Sequence, residues 1–128
     1  MPADRQFETS KVEILKYFIV ALNNHDLDRI EAFFCDDCVF FSSAGDAPGG
    51  VAFRGKTEVR RGFELIFETF ADACWCHDNH FVESNRGFSE WTFIGTNSQR
   101  ERIEVRGCDA FVFQGDKIQV KDSFRKQV

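Results

Sequence analysis

No stretch of this chain approaches the roughly 20 consecutive apolar residues that a membrane span requires. The opening Met1-Pro2-Ala3-Asp4-Arg5-Gln6 also lacks the basic and apolar regions of a secretory signal, so a cytoplasmic location is expected. A basic excess is missing too. Sixteen Lys+Arg against 21 Asp+Glu leave a net charge of -5, which argues against phosphate-driven nucleic-acid binding and against an anionic membrane surface. The expected partner is a small molecule or another protein. Five cysteines are an odd number that does not suit a disulfide framework. Cys35-x2-Cys38 and Cys74-x-Cys76 together do not match a zinc knuckle, because the second spacing is too short and the flanks are those of core strands. Reduced thiols and no metal are expected. There is no nucleophile elbow, no phosphate-binding Gly-rich loop and no Arg/Lys cluster suited to a nucleotide, so no cofactor is expected either.

What the chain does have is phenylalanine: 16, against one Tyr and two Trp. Core packing must account for most of them, with some left to wall a pocket. At 128 residues the chain is long enough for one domain, 1–128, with a sizeable core, and no linker interrupts it.

Ser10-x-x-Glu13 has the form of a capping box, opening a helix with Ile14, Leu15, Phe18, Ala21 and Leu22 at helical spacing. Asn23-Asn24-His25 ends it. Asp26 then caps a short second helix carrying Leu27, Ile30, Phe33 and Phe34, and Asp36-Asp37 stops that helix before an apolar strand from Cys38 to Phe41. Residues 42–55 hold a Pro and four of the nine glycines, which predicts a mobile loop of the kind that forms lids. Lys56 to Phe70 returns to helical period, with Val59, Phe63, Ile66, Phe67 and Phe70 on one stripe. From Ala71 the chain reads as an antiparallel meander of strands at Cys74–Glu83, Gly87–Gly95, Arg102–Phe113 and Lys117–Arg125. Helices followed by such a sheet predict an α+β fold in which the sheet curls around the helices.

One strand position stands out. Alternation in Arg106-Gly107-Cys108-Asp109-Ala110-Phe111-Val112-Phe113 sets Asp109 on the same side as Phe111 and Phe113. A buried carboxylate there must find a cation, hold its proton or meet a ligand. The structural alternative is a pair with Arg106 or with a residue of a neighbouring strand. Both faces of the late strands carry apolar or small residues while helices cover only one, which predicts a homodimer through the sheet.

The order of elements, with Ala21-Leu22-Asn23-Asn24-His25-Asp26-Leu27-Asp28 at the helix hairpin, Asp36-Asp37-Cys38-Val39 entering the first strand, Phe53-Arg54-Gly55-Lys56 before helix three, Glu90-Trp91-Thr92-Phe93-Ile94-Gly95-Thr96 in mid-sheet and Gly115-Asp116-Lys117-Ile118 in the last hairpin, resembles the nuclear transport factor 2-like superfamily. Its SnoaL-like and ketosteroid-isomerase-like group is the nearest in flavour. The resemblance implies a cone-shaped, cystatin-like α+β roll with an apolar pocket and dimerisation through the sheet. It also implies either a cofactor-independent acid/base enzyme of isomerase, cyclase, hydrolase or dehydratase type on an apolar oxygen-bearing molecule, or a non-catalytic binding module of the same fold. Asp109 matches the late-strand acid of the isomerases' oxyanion hole, while Phe18 falls where their donor Tyr belongs and Ser42 where their base belongs. Steroid isomerisation is therefore not expected.

The catalytic candidates are Asp109 and, should it face the pocket, His80, which would then make an acid/base pair with it. A chelate by His77 and His80 would need a bulge, since the two point to opposite faces of a regular strand. Phe18, Ser42, Phe63, Trp75, Trp91, Phe111 and Phe113 form the candidate ligand-binding set, the indole N–H groups being able to orient a ligand oxygen. Glu90, Asp122 and Arg125 are further polar groups to place. Alternation puts Ile118, Val120, Asp122 and Phe124 on one face of the last strand and Lys121, Ser123 and Arg125 on the other, leaving open which faces inward.

Overall fold

The computed structural model describes the backbone of residues 2–127 and the side chains of residues 11–127. Helix α1 covers Pro2–Asn23. It already runs through Ser10, whose side chain lies outside the described residues, so Ser10-x-x-Glu13 does not mark its start. The helix stops at Asn23, and the chain turns through His25 in the left-handed region (φ 54). Asp26 then caps α2 (Leu27–Ala32) by accepting the Arg29 N–H at 3.2 Å.

Strand β1 (Phe34–Phe41) begins earlier than Asp36-Asp37 suggests. The two acids sit exposed inside it, where the pairing with the last strand is irregular between Phe34 and Val39. Charge at such an interruption meets water and does not end the strand. A three-residue strand β2 (Ala52–Arg54), within the stretch read as loop, pairs antiparallel with β1. Helix α3 (Gly55–Thr69) follows and buries Val59 and Phe63. Its Arg60 reaches Asp28 and Glu31 at 2.6 and 3.1 Å, tying α3 to α2.

The meander is β3 (Cys74–Glu83), β4 (Arg86–Thr96), β5 (Arg102–Gln114) and β6 (Lys117–Arg125). Strand β6 also pairs in parallel with β1, giving one mixed six-stranded sheet of order β2-β1-β6-β5-β4-β3. The three helices pack on one face of this curved sheet, so the fold is the α+β roll that the sequence predicts.

Phenylalanine fills the space between. Phe18 is fully buried and meets Phe33, Phe34, Phe63 and Phe111 edge-on at centroid distances of 5.6 to 6.2 Å. Strict alternation in β4 and β5 sends Ser89, Trp91 and Phe93 with Asp109, Phe111 and Phe113 inward. Within the meander alternation fails twice. A register shift between Cys76 and Asn79, with His77 at φ 55, re-aims β3. Another between the Val112/Val120 and Phe113/Ile118 pairs lets Ile118 point inward together with Lys121 and Ser123, correcting the face on which simple alternation put Ile118. Among the outward-facing residues, Phe81, Phe88 and Phe124 are 59%, 38% and 53% exposed, an apolar group that the helices do not cover.

Candidate functional site

At the open end of the roll a cavity of about 420 Å³ lies between the inner face of the sheet, α3 and the loop after β1. Its walls are chiefly aromatic and aliphatic, including Phe40, Phe70, Trp75, Trp91 and Phe93. Trp75 is set by Asn23 at the end of α1, whose side-chain oxygen accepts the Trp75 N–H at 2.8 Å while its amide donates to the Trp75 carbonyl at 2.9 Å. The asparagine thus replaces a missing strand neighbour.

Trp91 is set by a glycine. It pairs across β4 and β5 with Gly107, and its ring lies so close that a Cβ on Gly107 would stand 2.5 Å from it. Only glycine lets the indole lie flat over β5 and extend its Nε1–H to Asp109 Oδ2 at 2.9 Å. Asp109 is fully buried, and its other oxygen accepts Lys121 Nζ at 3.0 Å and Ser123 Oγ at 2.5 Å. Lys121 Nζ also donates to Ser123 Oγ at 2.7 Å and lies over the Phe40 ring at 4.6 Å.

The cation that answers Asp109 is therefore Lys121, not Arg106, which is exposed on the outer face. Register explains the choice: Asp109 pairs with Ser123 and Phe111 with Lys121, so the ammonium is a diagonal neighbour on the same face. Asp109 does not line the cavity; Trp91, Lys121 and Ser123 do, with the carboxylate one layer behind them. The signal that was available is the inward alternation of Lys121, Ser123 and Arg125. What hid it was the unresolved choice of face for β6.

His80 belongs elsewhere. Its ring is held between Ser89 Oγ at 2.7 Å and Asp78 Oδ2 at 2.6 Å, and it lies outside the cavity lining. In the sheet register it is two strands away from Asp109, in the row His80, Ser89, Asp109, Ser123, so the two do not form a direct acid/base pair. Of the ligand-binding candidates, Ser42, Trp75 and Trp91 line the cavity. Phe18, Phe63, Phe111 and Phe113 do not; they are the packed core beneath it. Glu90 and Asp122 lie on the outer side. Burial, and then the charge of Asp109 behind it, push the Asp122 carboxyl above its ordinary value. Among the described residues no group of three or more His, Cys, Asp or Glu side chains comes together to hold a metal ion.

Arg125 lines the cavity mouth, its guanidinium over the Phe93 ring at 4.7 Å and its Nε donating to Ser43 Oγ at 3.1 Å. Ser43 belongs to the loop, which is bonded to itself: Ser42 N to Val51 O at 2.9 Å, Val51 N to Ala44 O at 3.0 Å, and Ser42 Oγ to Ala44 O at 2.9 Å. Gly50 sits at φ +76 with Ser42 O so close that no side chain fits there. The loop is thus a shaped wall of the cavity. Chemically, the polar groups of the wall are cations and hydroxyls, and among the described residues no carboxylate or imidazole lines it.

A family model described as the SnoaL-like domain matches residues 15–120, and the chain belongs to that family. No protein of curated function matches the sequence significantly. Among solved structures, a Pseudomonas aeruginosa phenazine biosynthesis-related protein superposes with TM-score 0.83 at 16% identity, over 98% of this chain and 84% of that one. A Xanthomonas campestris protein assigned as a polyketide cyclase gives 0.81 at 12% identity, over 93% and 92%. A cystatin-like fold protein of unknown function from Methylobium petroleophilum gives 0.75 at 22%, over 94% and 78%. At such identities the likeness is one of fold.

Proposed function

We propose that this SnoaL-like protein binds an apolar, oxygen-bearing small molecule in the cavity between the sheet and α3, with the oxygen at the Lys121/Ser123 end. The supporting observation is an aromatic-walled cavity of about 420 Å³ with a small number of polar groups on its surface, Lys121 and Ser123 among them, the usual form of a small-molecule site. Asp109 has a positioning role: it holds Lys121 and Ser123 in place through two hydrogen bonds to one oxygen. A second reading, acid/base catalysis of the isomerase, cyclase, hydrolase or dehydratase type, is favoured by one contact. Ser123 Oγ lies at the cavity surface and 2.5 Å from Asp109, so a ligand proton has a hydroxyl relay to the carboxylate.

Both tryptophans of the chain line the cavity, so their emission reports its occupancy. Titration with a panel of aliphatic and alicyclic ketones and epoxides, which absorb only weakly where indole does, is expected to change that emission saturably after correction for absorption. A flat response across the panel to millimolar concentration would refute the binding reading. Product formation from any panel member that disappears in Ser123→Ala would establish the catalytic one.

The uncovered apolar group on the outer face supports a homodimer through the sheet, and the unpaired state of all five cysteines suits a reducing, cytoplasmic setting. No helix among the described residues is long and apolar enough to cross a membrane.

A further inference from the structure

The two cations on the cavity surface are not equivalent. Lys121 is neutralised at 3.0 Å by Asp109. Arg125 has no such partner: among the described residues no carboxylate lies within ion-pair distance of it, and it has no further interaction beyond Ser43, Phe70 and Phe93. Burial makes this informative: Arg29, Arg54, Arg86, Arg100 and Arg106 also lack an ion pair but are exposed to water, whereas Arg125 is half-buried, and the half-buried Arg60 pairs with two carboxylates. The Ser43 hydroxyl engages only Nε, and the aromatic rings engage only the guanidinium face. Both terminal nitrogens keep their donors. Burial alone pushes the guanidinium below its ordinary pKa, as expected for a desolvated cation with no anion beside it.

A planar, partly desolvated, pre-oriented guanidinium with two free terminal nitrogens matches a carboxylate in bidentate geometry. The rest of the cavity supplies aromatic walls and, further along β6 from the mouth, the charge-balanced Lys121/Asp109 pair, which adds no net attraction for an anion. We infer that the ligand is an apolar organic carboxylate, its carboxylate held by Arg125 and its hydrocarbon body lying against Trp75, Trp91 and Phe93. The inference rests on the cavity being the ligand site, and it names the class of molecule that site selects.

The test compares 2-naphthoic acid with its methyl ester by isothermal titration calorimetry at pH 7 on wild type and Arg125→Gln. The acid is expected to bind at least tenfold more tightly than the ester to wild type and to weaken with added salt. In Arg125→Gln the acid is expected to lose about 10- to 100-fold while the ester keeps its affinity, which also shows that the variant is folded. Arg125→Lys should recover only part of the loss, because an ammonium lacks the fork. Equal binding of acid and ester to wild type, or acid binding unaffected by Arg125→Gln, would overturn the carboxylate assignment and leave the cavity reading standing. Binding of neither compound would overturn both.

Discussion

Asparagine in place of Asp109 keeps the shape and an acceptor for the Trp91 indole but removes the charge that answers Lys121 at 3.0 Å. The ammonium has little access to water, because its side chain is 3% exposed and roofed by the Phe40 ring. Breaking a buried pair by removing one partner costs about 3–5 kcal/mol, most of it the stranded charge. For a chain of 128 residues, each kcal/mol moves the melting temperature by roughly 3–5 °C, so Asp109→Asn is expected to melt roughly 10–20 °C below wild type at pH 7. Asp109→Asn combined with Lys121→Met removes the stranded charge and should recover much of the loss, a coupling on the order of 1–3 kcal/mol in a double-mutant cycle. A single mutant melting within about 2 °C of wild type, or a double mutant worse than the sum of the singles, would refute the reasoning.

Gly107→Ala should displace the Trp91 ring from Asp109, because a Cβ there meets the indole and the Phe124 carbonyl closer than contact distance allows; near-ultraviolet circular dichroism of the tryptophan region should change and stability fall by about 1–3 kcal/mol. Asp122 is a carboxyl whose folded pKa is raised, so its contribution to stability is complete below its unfolded pKa and lost as pH rises through the folded one. Asp122→Asn is therefore expected to raise the urea midpoint at pH 7, with a gain that shrinks as pH falls toward 4. A Δ5-3-ketosteroid should not be isomerised, since the positions where the resemblance implies the donor and the base hold Phe18, which is packed core, and Ser42, which carries no carboxylate. Phe18→Tyr would bury a hydroxyl among four phenylalanine rings at a cost of about 1–3 kcal/mol, readable in a thermal melt.

How much of this was readable beforehand depended on which physical signal each segment carried. The bounds of β3 and β6 follow from turn residues flanking alternating runs, and α3 from its apolar stripe; these are local signals. β2 escaped because a three-residue strand between a Gly/Pro loop and a helix has no period to detect. The start of β1 was displaced because Asp36-Asp37 looks like a stop, although acids at an irregular stretch of sheet are solvated and harmless. Asp109 was identifiable as a buried acid from two neighbouring phenylalanines. Its partner was not, since Lys121 becomes its neighbour only through the β5/β6 register and the face of β6 that turns inward. The same register carried His80 away from the cavity, and sequence reasoning that ranks phenylalanines by number alone has no means of separating cavity wall from packed core.

The measurement that bears most directly on the cavity is the pair of indole Nε1–H resonances of Trp75 and Trp91, observed by proton–nitrogen correlation as 2-naphthoic acid is added. Both are expected to shift saturably, together with the backbone amide of Ser43. Shifts confined to Phe88, Cys108 and Phe124, which border a groove on the outer face of the sheet, would contradict the assignment of the ligand to the cavity.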